Sequence, residues 1–198
     1  MNRLNKEIWG WALYDWANSA FAVSILAVIF QFYFVDVLAT SGTELIKEVT
    51  IFGTTIPSAS LWSCSGSLSM IFVVIICPIV GAIADYTGKK KLFLFFFCYT
   101  GAGTTMLMVF LKVGMWQLGM LLFILSNICF VGGNVVYNGM LIDVAPSEDD
   151  IGFVSGFGWG LGYMASFLML TFNLILINLK IPSPEWAVRI SLLSVGIW

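Results

Sequence analysis

Asp15 and Asn18 stand three residues apart inside an otherwise apolar stretch. In a helix that spacing places a carboxylate and an amide on one face. A carboxylate in such a setting is costly and is ordinarily turned toward a cavity, where it can take a proton or the ammonium group of a solute. The competing reading is local. Trp9, Trp11 and Trp16 flank the pair as interfacial anchors, and they place Asp15 within about two turns of the headgroup layer, where it would only cap or pair. Both readings stand at this point. A second polar set, Asn127, Asn134 and Asn138, recurs at i, i+7 and i+11 with Tyr137 beside it, one stripe of a helix. Three amides on one face can exchange hydrogen bonds with a polar or zwitterionic solute, or they can knit helices together at about 0.6 to 2 kcal/mol each. Packing is the preferred reading for Asn127. For Asn134 and Asn138 the two readings balance, because the adjacent Gly132 and Gly133 leave room for a void.

Other chemistry is poorly supplied. The 198-residue chain has no histidine, which removes imidazole metal sites, Ser-His dyads and histidine proton relays together. Cys64, Cys77, Cys98 and Cys129 all fall within hydrophobic runs and read as small packing residues rather than a disulfide framework. Ser155 between Gly152 and Gly156 resembles a serine-hydrolase motif only superficially. No catalytic residue, metal site or cofactor is expected, and no ATP-binding glycine loop is present, so any energy coupling would have to come from an ion gradient. A net charge of −2 and a pI near 4.9 leave no basic face for nucleic acid.

The elements that must position these residues follow from composition. Hydrophobic residues make up 60% of the chain and charged ones 10%, with a mean hydropathy of +0.96, too little polar surface for a soluble globule. A bilayer core of about 30 Å takes roughly 20 helical residues to cross. Five runs meet that length, 8–37, 61–84, 92–111, 116–142 and 152–178, and a sixth, 187–198, meets it only in part. Each is expected to be helical, since backbone amides in hydrocarbon must be satisfied within their own segment. Twelve residues rise only about 18 Å, so the sixth is read as a truncated helix and the chain as a fragment whose C-terminal portion is missing. Arg3 and Lys6 precede a run too long and too polar for a signal peptide.

Arg3, Lys6, Lys89, Lys90 and Lys91 fall on one side of this arrangement, and Lys47, Lys112 and Lys180 on the other, with Arg189 just inside the sixth helix. The lysine and arginine bias makes the first side cytoplasmic. Segment 39–60 is the one long loop on the other side. Ser147 reads as a helix N-cap with Asp150 three residues on. Pro78 is a candidate kink. Gly152, Gly156 and Gly160 recur every four residues and read as a close helix-helix seam, with Gly158 and Gly162 offset by two.

Between the second and third runs lies Gly81-Ala-Ile-Ala-Asp85-Tyr-Thr-Gly88-Lys89-Lys90-Lys91. Its residue order and position resemble the signature loop of the major facilitator superfamily. The stretch from Gly10 to Phe21, the stretch from Tyr137 through Asn138, Gly139 and Asp143 to Pro146, and the glycine-rich start of the fifth run further resemble its vacuole-effluxer-like branch, relatives of autophagy-related vacuolar amino-acid exporters. The resemblance implies an all-α membrane protein, the six-helix N-terminal bundle of a twelve-helix fold. It further implies a secondary transporter of a small polar solute, with neutral amino-acid efflux by alternating access as its specific form. Asp15, Asn18, Asn134, Tyr137 and Asn138 would then serve the substrate or a coupling proton, and Gly81, Asp85, Gly88, Lys89 and Lys90 would form the signature loop. The expected partners are the lipid bilayer, the solute and a complementary C-terminal half. The short loops suggest a bacterial inner membrane. The alternative reading is a six-helix interaction or assembly protein without transport.

Overall fold

The computed structural model describes residues 5–40 and 47–198; Arg3 and residues 41–46 of the 39–60 loop lie outside them. Six helices account for most of the described residues: α1 (Lys6–Leu38), α2 (Ser58–Thr87), α3 (Lys90–Phe110), α4 (Trp116–Val144), α5 (Ile151–Leu179) and α6 (Pro184–Ile197). The first five are long and apolar enough to cross a membrane. Their bounds track the hydropathy runs to within a few residues, extended by capping. Asn5 Oδ1 accepts from the Ile8 amide at 2.8 Å to open α1. Gly88, left-handed at φ +65°, closes α2 where a side chain would be strained. Ser183 caps α6 with Pro184 following, the residue whose missing N–H costs nothing at a helix start.

α1 packs along α5, α3 and α2 along α4, and α6 along α3 and α5. What faces outward is apolar: Ile71, Val74 and Ile75 on α2, Phe95 and Phe96 on α3, Phe167 and Phe172 on α5 are all exposed. Such a belt has lipid as its solvent, and the protein is a multi-pass integral membrane protein. Pro78 sits inside α2, which runs through it. Ser147 donates to Asp150 Oδ2 at 2.7 Å and makes no side-chain bond to a helix amide.

Two features depart from simple spans. α1 contains two π-helical stretches, Ala22–Val28 and Phe34–Leu38, insertions that widen the helix and often accompany functional sites. The 39–60 loop carries a β-hairpin, β1 (Glu48–Ile51) paired antiparallel with β2 (Thr54–Pro57). It turns on Phe52 and Gly53, both at positive φ. Val49, Ile51 and Ile56 pack it onto the helix ends near Leu38, Leu61 and Leu111. Beneath it Phe30, Phe34, Trp62 and Phe123 interlock, with the Trp62 and Phe123 centroids 4.4 Å apart.

The glycine seam needs correction. A Cβ at Gly152, Gly156 or Gly160 would meet open space, whereas at Gly158 it would lie 2.5 Å from Trp11 and at Gly162 2.6 Å from Asp15 Oδ2. The buried face of α5 includes Val154, Gly158, Gly162, Ala165 and Ser166, because Trp11 and the Asp15 turn need two positions one turn apart without side chains. Gly132 and Gly133 likewise leave no void, since the Phe97 ring and the Tyr14 hydroxyl occupy the space. Trp11 is buried against Tyr137 rather than anchored at the interface.

Candidate functional site

Asp15 lies about 14 Å along α1 from Lys6 and is level with Gly162, about 16 Å along α5 from Ile151. The missing side chain at Gly162 is what lets the carboxylate settle between the two helices. Ser19 Oγ donates to Asp15 Oδ1 at 3.3 Å, and one turn on Ser166 Oγ donates to the Ser19 carbonyl at 3.0 Å. Among the described residues no lysine or arginine pairs with Asp15; the ion pairs formed there are Lys47 with Asp36, Lys90 with Asp85 and Asp143, and Arg189 with Glu185.

α4 supplies the facing wall. Asn18 Nδ2 donates to Asn134 Oδ1 at 2.7 Å, so two of the sequence candidates meet directly. Tyr137 is buried, stacked on Trp11 at 4.2 Å and on Tyr14 at 5.0 Å, and the Trp11 indole donates to its carbonyl at 3.0 Å. Its hydroxyl has no hydrogen-bond partner among the described residues. Asn138 is exposed at the edge. Asp15, Asn18, Asn134, Tyr137 and Asn138 thus all line one cleft of about 330 Å³ between α1, α4 and α5, within the range of small-molecule sites. Asn127 turns elsewhere, donating to Ser69 Oγ on α2 at 2.8 Å as a helix tie.

The sequence reading missed seven further lining residues, of which Ser19, Ser166, Trp159 and Tyr163 carry hydrogen-bonding groups. Trp159 and Tyr163 stand four apart on α5, a signal that was available in the sequence but masked by the glycines around them. A second cavity of about 470 Å³ lies between α1, α3, α4 and α6, lined mainly by apolar groups with Asn18 in the partition.

The signature-loop residues form a separate cluster. Lys90 Nζ reaches Asp85 Oδ1 at 3.1 Å and Asp143 Oδ2 at 2.8 Å, and donates to the Gly139 carbonyl at 3.0 Å. It thereby ties the ends of α2, α3 and α4. The Lys89 carbonyl accepts from the Leu92 amide at 2.9 Å to open α3. A Cβ at Gly81 would be in ordinary contact with Val135, 3.5 Å away, so α2 and α4 come close there without requiring glycine.

The model of the family described as vacuole effluxer Atg22-like matches residues 3–151. The chain is 34% identical to an uncharacterized MFS-type transporter, YxiO of Bacillus subtilis, over 90% of its own length and 39% of that protein's. It is 23% identical to autophagy-related protein 22 of Eremothecium gossypii over 98% of its own length and 44% of that protein's. The chain therefore spans about two fifths of the length of these relatives. No solved structure gives a significant match.

Proposed function

The chain belongs to the vacuole effluxer Atg22-like family of major facilitator transporters, and from that premise we propose that it serves secondary active transport of a small polar solute. The observation that carries this reading is the cleft: a carboxylate without a counter-charge, a linked amide pair and an unpartnered tyrosine hydroxyl converge inside a bundle of apolar spans, where idle polar groups are costly. A purely structural bundle gains nothing from leaving them open. Asp15 and Tyr137 hold the solute or a coupling proton, while Asn18, Asn134 and Asn138 orient it. The six helices form one wall of a path whose other wall comes from a complementary half, and rocking of the two halves exposes the cleft alternately to each side.

The family description supports outward movement, and the zwitterion-compatible amides support a neutral amino acid as the cargo. The membrane is a bacterial inner membrane, with Lys89, Lys90 and Lys91 on its cytoplasmic face. The Lys90 clasp to Asp85 and Asp143 holds the cytoplasmic ends of α2, α3 and α4 together while the helices rock. The test is uptake and efflux of labelled amino acids and other small polar solutes by the full-length protein in vesicles under imposed proton or sodium gradients. Gradient-driven flux of at least one solute is expected. Intact, folded protein that moves none of them under either gradient would return the bundle to an assembly role.

A further inference from the structure

We infer that the cleft is a cation subsite, which grips the positive, ammonium end of its solute between the Asp15 carboxylate and the Trp159–Tyr163 ring pair. The inference deepens the transporter reading and rests on it only for the direction of solute movement, not for binding. Among the described residues Asp15 is the one charged side chain lining the cleft, and neither lysine nor arginine is among those lining residues. The charge is fixed in place from behind, by Gly162 and by the Ser19 hydroxyl, so its open side is toward the cavity. On the α5 wall of the same cleft, Trp159 and Tyr163 are 56% and 67% exposed, and their ring centroids are 5.9 Å apart at an interplanar angle of 56°. Splayed aromatic rings with uncovered faces next to a carboxylate are the arrangement that stabilises an alkylammonium, through the negative ring faces and a direct charge contact. The exposed Asn138 amide oxygen adds a neutral acceptor for ammonium N–H groups. A carboxylate on the same solute meets amide donors of Asn134 and Asn138 but no counter-charge here, so an anion that lacks an ammonium group is not held.

The full-length protein carrying Ala22→Cys, a small lining position outside the recognising set, is alkylated with N-ethylmaleimide, and peptide mass spectrometry reads the extent of modification at residue 22. Choline, its uncharged isostere 3,3-dimethylbutanol, and acetate are compared as protectants. Choline is expected to slow alkylation, and the other two are not. Adding Asp15→Asn or Trp159→Leu should raise the choline concentration needed by about tenfold, with the unprotected alkylation rate unchanged as the check that the cleft remains folded. Protection by the uncharged isostere equal to that by choline, protection by acetate, or no protection by choline would each overturn the inference, as would choline protection that survives both substitutions. Flux measured in parallel separates the two ideas. Choline protection without gradient-driven flux of any solute defeats the transporter reading and leaves the subsite, and flux without choline protection does the reverse.

Discussion

Arg189 and Asp15 are both charged side chains set among the helices of this bundle, and the protein treats them differently. Arg189 is 4% exposed, yet its charge is met on every side: Glu185 accepts from Nη2, its Nε donates to the Tyr33 hydroxyl at 3.4 Å, and the guanidinium lies 5.5 Å from the Trp186 ring centroid. Tyr33 in turn donates to the Leu111 carbonyl at 2.9 Å. This is the hairpin end of the bundle, closed by the Phe30, Phe34, Trp62 and Phe123 rings. Asp15 is half-buried and has one neutral donor. The contrast teaches where the fold invests in rigidity and where it leaves polar groups idle. A compensated charge pins α6 to α1, while an uncompensated one faces a cavity that something else must fill.

The contrast is broken most severely at the α1–α5 seam. Gly162→Leu forces a side chain into the position of Asp15 and Ser19, and the expected result is loss of the folded protein on size-exclusion chromatography in detergent. Gly160→Leu, two residues away on an open face, leaves the bundle of this chain intact. At the sealed end, Trp62→Ala removes the ring shared by three aromatic neighbours and costs about 3 kcal/mol, read as a lower thermal midpoint without a change in ligand protection at the cleft. Glu185→Ala leaves Arg189 buried with only the Tyr33 hydroxyl and the Trp186 ring, and costs about 2 kcal/mol; the figure is below that of a wholly buried pair because Glu185 is half exposed. Asp15→Asn is the counterpart, expected to reduce gradient-driven flux by about tenfold or more, about 1.4 kcal/mol, while the thermal midpoint is unchanged. Lys90→Ala opens the clasp to Asp85 and Asp143, and because both acids are well exposed the loss of stability is within about 1 kcal/mol.

Hydropathy makes the helices legible, since each span needs its own length of apolar residues, and residue order makes the Gly81 to Lys91 loop legible. The amide stripe was readable only in part: Asn134 and Asn138 line the cleft, whereas Asn127, placed on the same stripe, turns to Ser69 as a tie. Which face of each helix packs was not. In a lipid solvent the buried face and the outward face are both apolar, so the sequence carries no amphipathic signal to separate Gly152, Gly156 and Gly160 from Gly158 and Gly162. For the same reason Trp11 read as an interfacial anchor, although it is buried beneath Tyr137. The π-helical stretches of α1, Ala22–Val28 and Phe34–Leu38, leave no mark in its hydropathy. The hairpin was hidden because Phe52 occupies a turn position where asparagine or glycine is the usual signal.

The central claim is that the cleft between α1, α4 and α5 lies on the solute path, and modification of a cysteine placed there tests it most directly. Val23 lines the cleft without taking part in its hydrogen bonds. Full-length protein carrying Val23→Cys is reconstituted in vesicles, and flux is measured before and after treatment with a charged, membrane-impermeant methanethiosulfonate. The account predicts that modification abolishes flux and that transported solute slows the modification. Undiminished flux through protein shown by mass to be fully modified at residue 23 would contradict it.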